Sequence, residues 1–217
     1  IDNFTDLFRN DPESWEEFMP KGFTMELFNI LKDCFDRTIF TGAAKRIRAM
    51  VREADDLDIE DRINKIADIF ACFHNPDKET VLTPWRVVNM QLSDTLGGYC
   101  FYNEQFDGPN YATDPVTQEE KRVPRLVLRP ADGDDAGSVT HDVFGDYNTR
   151  IMEINSKTGL YPLYCAYSVF RMIKEKAYIG SGLTTERKGI AVTREQYDRY
   201  ANDDKAIWED VLQDNIF

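Results

Sequence analysis

The stretch TRIMEINSKTGLYPLY, Thr149 to Tyr164, constrains the fold most. A short apolar run stops at an acid, Glu153. A small polar loop with one glycine follows, and then an amphipathic segment begins. The pattern predicts a buried strand over Arg150 to Ile154, a loop over Asn155 to Gly159, and a helix from Leu160 to about Lys176. A strand, a tight loop and a helix in that order put backbone N–H groups and a helix N-terminus at the strand's carboxyl end. Open α/β sheets bind their ligands there. Gly159 lets the backbone approach a ligand closely. An acid at the strand end suits a ligand with a cationic or donating group, and argues against a phosphate. Neither G-x-x-x-x-G-K-[ST] nor G-x-G-x-x-G is present, which disfavours a nucleoside triphosphate or dinucleotide. Taken alone, the stretch fits equally a strand–helix turn with a capping hydroxyl and an exposed Glu153.

The bulk numbers narrow the class. The 217 residues are 42% hydrophobic and 30% charged, enough for one ordinary domain or one and a half with a real core. No transmembrane span and no signal peptide is visible, so no membrane partner is expected. The chain starts at Ile1 rather than Met, which suggests a piece of a longer protein. Cys34, Cys72, Cys100 and Cys165 have no paired spacing, and Cys72-x-His74 is a two-residue coincidence without the further ligands a zinc cluster needs. No zinc site is expected, and free thiols in apolar runs fit a reducing cytoplasm. The net charge of −13 repels polyphosphate on average, although a cationic groove can be local.

Residues 1–78 read as a helical region. Asp11-Pro12 starts a helix, Thr24 caps a second, a third runs from about Gly42 to Ala54, and a fourth from about Ile59 to Phe73. Residues 79–217 read as a second region. Thr83-Pro84 opens a helix through about Leu96, where Gly97-Gly98 stops it. Residues 103–148 are rich in Gly, Pro, Asp and Asn, and predict loops with one or two short strands, the best at Arg125 to Leu128. Residues 177–193 read as loop, and helices return at Thr193 to Tyr200 and Asp203 to Leu212.

Two stretches then resemble a known pair. Adenine-specific N6 DNA methyltransferases of bacterial restriction-modification systems carry a Thr-Pro-x-x-Val-Val helix, followed later by an acid-led loop of the form [DE]-P-x-x-x-x-G-x-[FY]. Here these stand as Thr83-Pro84-Trp85-Arg86-Val87-Val88 and Glu153-Ile154-Asn155-Ser156-Lys157-Thr158-Gly159-Leu160-Tyr161. The wording over Phe70–Glu104 and Gly137–Arg171 looks like the methylase part of large helicase- or restriction-linked proteins. The resemblance implies an α/β fold: an N-terminal helical bundle, then the first part of a Rossmann-like sheet that binds S-adenosyl-L-methionine. It implies cofactor contacts from Thr83, Pro84, Glu153, Asn155, Ser156, Lys157, Thr158 and Gly159, with the Lys157 side chain pointing outward. Trp85 either covers the cofactor or packs in the core.

Three departures stand beside it. Ile154 replaces the usual proline, and Lys157 replaces a small residue. The catalytic [DNS]-P-P-[YFW] signature is absent: Asn75-Pro76-Asp77-Lys78 and Gly108-Pro109-Asn110-Tyr111 read as turns. No catalytic residue is therefore expected, and the chain alone is expected to be inactive. DNA would be met through other parts of the parent protein, with restriction or helicase segments in the same polypeptide. The alternative is a non-catalytic acidic module that mimics DNA charge or acts as a scaffold.

Two features rank lower. Lys45, Arg46, Arg48 and Arg52 concentrate positive charge on the third helix. They read as a DNA contact or as a solvated face balanced by Glu53, Asp55 and Asp56. The acidic run Asp132-Gly133-Asp134-Asp135 lacks calcium-loop spacing and reads as a loop.

Overall fold

A computed structural model describes residues 5–8, 13, 15–16, 19, 21–72, 83–128, 143–144, 149–154, 159–180 and 190–216. The architecture is mixed α/β, with seven α-helices and three two-stranded sheets among these residues. The chain divides into two compact units, Ile1–Val81 and Leu82–Phe217.

In the first unit, α1 (Met25–Leu31) is capped by Thr24, whose side chain accepts from the Leu27 N–H. Phe28 is buried against Trp15, ring centroids 5.7 Å apart in an edge contact. The Trp15 indole N–H donates to the Phe23 carbonyl at 2.7 Å, so its polar tip is satisfied. α2 (Arg37–Asp55) begins five residues before the expected Gly42, because Asp36 caps it by accepting from the Thr38 and Ile39 N–H groups. α3 (Ile59–Ala71) starts behind the Asp58 cap and buries Ile59, Ile63, Ala67 and Ile69. Arg62 joins the two helices. Its guanidinium donates to the carbonyls of Ala54, Asp55 and Leu57 at 3.0, 2.8 and 3.2 Å. Those are the carbonyls that a helix end leaves without intrahelical donors. The expected start at Asp11-Pro12 and the Asn75-Pro76-Asp77 stop lie outside the described residues.

In the second unit, α4 (Trp85–Thr95) follows Pro84, which occupies the N-cap position. Gly97 and Gly98 take φ of 76° and 94° and turn the chain directly into β1 (Gly98–Cys100). The double glycine thus both ends α4 and launches a buried strand that the sequence pattern does not predict. β1 pairs antiparallel with β4 (Arg125–Val127), the strand expected there. Between them β2 (Tyr111–Thr113) and β3 (Glu120–Arg122) form an exposed hairpin. α5 (Leu160–Lys176) is the centre of the core: Tyr164, Ala166, Tyr167, Val169, Phe170, Met172 and Ile173 are fully buried. β5 (Ala177–Ile179) pairs in parallel with β6 (Ile190–Val192), within the stretch expected to be loop. α6 (Arg194–Tyr200) carries a complete capping box from Thr193 and Gln196. α7 (Asp204–Asp214) packs on α5, with the Phe170 and Trp208 ring centroids 5.9 Å apart.

The expected buried strand over Arg150 to Ile154 is corrected. Only Ile151 bridges, in parallel, to Ile216, while Met152 and Ile154 are 72% and 91% exposed. Met152 and Ile154 share one side of the extended chain. No described element covers that side, so an apolar pattern there does not produce burial. The bridge itself is well tied. The Ile151 N–H donates to the Asn215 carbonyl at 2.7 Å, and Asn215 Nδ2 donates to the Thr149 carbonyl at 2.8 Å. Among the described residues no helix is long and apolar enough to cross a membrane.

Candidate functional site

The Thr-Pro stretch positions α4 without a side-chain cap. Pro84 fixes an extended entry at φ −63° and ψ 148°, and its carbonyl accepts from the Val87 and Val88 N–H groups at 2.9 and 3.1 Å. Thr83 is half-buried and Pro84 is exposed. Trp85 is buried in the core, with its ring 5.4 Å from Phe101 and 6.4 Å from Tyr164. Of its two expected roles, the core one holds.

The acid-led stretch ends on Gly159 at φ +68°, the left-handed N-cap residue of α5. A Cβ added there meets no heavy atom within 4 Å, so open space lies beside the backbone. Glu153 is half-buried. Asn155, Ser156, Lys157 and Thr158 lie outside the described residues.

The two stretches meet on α5. Trp85 packs edge-on against Tyr164, and the Glu153 charge is felt at the thiol of the following residue, Cys165. Tyr161, in the first turn of α5, donates from its hydroxyl to Gln91 Oε1 on α4. Tyr164 donates to the Gly97 carbonyl at 2.7 Å, where α4 ends. Segments about 70 positions apart thus converge around the first two turns of one helix. Gln91 and Tyr164, which make these links, were not identified from sequence. Each sits in an amphipathic segment where its type is ordinary.

Burial pushes the Cys165 thiol up to about 12, and the nearby Glu153 charge adds to the effect. Cys100 is also pushed up by burial, while Cys34 and Cys72 are exposed. In a thiol-reagent assay at pH 8, Cys34 and Cys72 are expected to react freely. The Cys165 thiolate population is about a thousandfold smaller, so Cys100 and Cys165 should react only on unfolding. Four fast thiols in the native chain would refute this. The folded-state value of Cys165 lies above the unfolded one, so its contribution is complete below about pH 8.5 and is lost as pH rises toward 12.

A separate open cleft of about 480 Å³ lies between α4 and β4. Met90, Gln91, Asp94, Phe106, Arg125 and Leu128 are among its lining residues. The Arg125 guanidinium sits 5.6 Å over the Phe106 ring, and its Nε donates to the Tyr102 carbonyl at 2.8 Å. Among the described residues, Thr83, Pro84, Glu153 and Gly159 do not line this cleft.

No protein-family model, curated protein or solved structure matches the chain.

Proposed function

We propose that this chain is the cofactor-binding part of an S-adenosyl-L-methionine-dependent N6-adenine DNA methyltransferase of a bacterial restriction-modification system, built on a Rossmann-like sheet. One observation carries the reading: Tyr161, at the end of the acid-led stretch, donates to Gln91 on the helix that Thr83-Pro84 opens, and Trp85 of that helix packs on Tyr164 of α5. The parallel Ile151–Ile216 bridge, with α5 and α7 in the intervening chain, supports a parallel sheet. The open space beside Gly159 fits a ligand that comes close to the backbone.

S-adenosyl-L-methionine supplies an electrophilic methyl on a sulfonium, beside an ammonium and a carboxylate. The first-turn N–H groups of α5, which have no intrahelical acceptors, would hold the carboxylate. Glu153 would attract the ammonium. Thr83, Ser156 and Thr158 would offer hydroxyls, Asn155 an amide, and Lys157 would point outward. Methyl transfer to an adenine amine needs in-line alignment, so this chain's contribution is positioning. A second reading, an acidic module that imitates DNA, is favoured by the net charge of −13.

Calorimetric titration with S-adenosylhomocysteine separates the two. Saturable binding is expected. Gly159→Val should weaken it at least tenfold, about 1.4 kcal/mol, by filling the open space, while leaving the helical circular dichroism intact. Absence of saturable binding at millimolar ligand, with no ligand-dependent amide protection over residues 83–91 or 149–164, would leave the acidic-module reading standing.

A further inference from the structure

α2 carries three exposed cations, Lys45, Arg48 and Arg52, on one side. At 3.6 residues per turn they fall within an arc of about 60° and span about 10 Å along the axis. Ala54, the only buried residue of α2, lies diametrically opposite Lys45 on the helical wheel, with half-buried Ile47 and Met50 beside it. The stripe therefore points away from the apolar side of the helix.

Neutralisation is missing where it was expected. Glu53 pairs with Lys65 on α3, at 2.7 Å, and not with the stripe; Asp55 and Asp56 stand three and four positions after Arg52 but make no ion pair with it among the described residues. Lys45 and Arg48 have no acid three or four positions away. Their neighbours at that spacing are Thr41, Gly42, Ala44, Ala49, Val51 and each other or Arg52. No ion pair reaches Lys45, Arg48 or Arg52 among the described residues. Like charges at i,i+3 and i,i+4 oppose helix formation. Arg52 is accounted for by the helix C-terminus, which favours a cation. Lys45 and Arg48 are not. A chain with 39 acidic residues had every opportunity to alternate signs here and does not.

We infer that this stripe docks the phosphodiester backbone of duplex DNA. The 10 Å span matches about three axial steps of 3.4 Å along one strand. Thr41 shares the arc, and Thr38, Ala49 and Gly42 flank it on one side, all small and exposed, while Asp55 flanks the other side near the helix end. The small residues allow close approach of a rod, and the two threonines add hydroxyl donors. An anionic bilayer is the poorer fit, because surface-lying helices insert Trp, Phe or Leu beside their cations and this arc has none. The inference stands on α2 alone and not on the cofactor reading.

The test is fluorescence anisotropy of the full chain with a labelled 30-base-pair duplex, titrated across NaCl concentrations. The wild type is expected to bind at low salt and to weaken linearly in log–log form. Lys45→Gln/Arg48→Gln/Arg52→Gln should reduce affinity at least tenfold at 50 mM salt and lower the salt slope by about 2.7, at 0.9 per phosphate contact. A matched triple, Lys121→Gln/Arg122→Gln/Arg194→Gln, should change affinity less than twofold. Gln is a good helix former, so circular dichroism should be unchanged. If the triple nevertheless unfolds, Lys45→Gln alone should lower the slope by about 1. An unchanged slope, no duplex binding by the wild type, or sedimentation with phosphatidylserine vesicles in place of duplex binding overturns the proposal. The S-adenosylhomocysteine titration of the triple should match the wild type, so failure here and failure of the methyltransferase reading are read separately.

Discussion

Replacing Gly98 with alanine is expected to destabilise the second unit by about 2–5 kcal/mol, read as a fall in the urea midpoint at unchanged slope. Two costs combine. The residue sits at φ +94°, where any side chain costs about 1–2 kcal/mol. The new Cβ would stand 2.6 Å from Ser168 Oγ and 2.7 Å from Phe144 Cε2, both in fully buried side chains. Overpacking of that kind costs about 1–3 kcal/mol. Ser168 Oγ also accepts from the Tyr99 N–H at 3.0 Å, so pushing it aside strips a buried donor of its partner. Gly159→Ala is the control. It shares the positive φ, at +68°, but its Cβ meets nothing within 4 Å. It should cost only about 1–2 kcal/mol. Equal losses for the two variants would show that the β1–α5 contact is looser than its distances say.

That contact also shows what sequence could reveal. α5 was legible to the residue, since its apolar period runs unbroken from Leu160 and its flanking Gly159 marks the start. α6 was legible through Thr193 and Gln196, three apart, as a capping box requires. The start of α2 was not. Glycine weakens a helix by about 1 kcal/mol, but the Asp36 cap and the Arg62 clamp on the far end outweigh that, so the helix runs through Gly42. β1, β5 and β6 are three residues each, too short to show an alternation. They exist because α5 lies beside them, with Ser168 satisfying the Tyr99 N–H, and such a partner is invisible in local sequence.

The candidate site divides in the same way. Pro84 and Gly159 are local devices, an extended helix entry and a left-handed glycine, and are legible from order; Thr83 enters only through the resemblance, and Glu153 does not end a strand. Gln91, Tyr161 and Tyr164 hold the two stretches together across the fold, and their pairing spans about 70 positions. Glu153 illustrates the limit. Its residue type suggests a ligand partner, while its electrostatic effect on Cys165 depends on how α5 is seated.

Asn89→Leu is expected to cost about 2–4 kcal/mol although it adds an apolar group to a core. Asn89 is fully buried, and both ends of its amide are used. Nδ2 donates to the Trp85 carbonyl and Oδ1 accepts from the Phe101 N–H, each at 2.9 Å. The second bond is the critical one, because Phe101 is itself 2% exposed and its N–H follows directly on β1. Leucine is similar in size but accepts nothing, so that donor stays buried and unpaired at about 1–3 kcal/mol, with misfit added. Asn89→Asp separates the terms. It keeps the acceptor for Phe101 and loses the donor. Burial holds its carboxyl above the ordinary aspartate range, so this variant's stability is greatest below about pH 4 and falls as pH rises through its folded-state value. The signature is therefore a variant closest to wild type in acid and furthest from it at pH 7, while Asn89→Leu runs parallel to wild type. If both variants ran parallel, Asn89 would be filling space and not fastening α4 to β1. The seating of Trp85 against Tyr164 would then have to rest on ring packing alone.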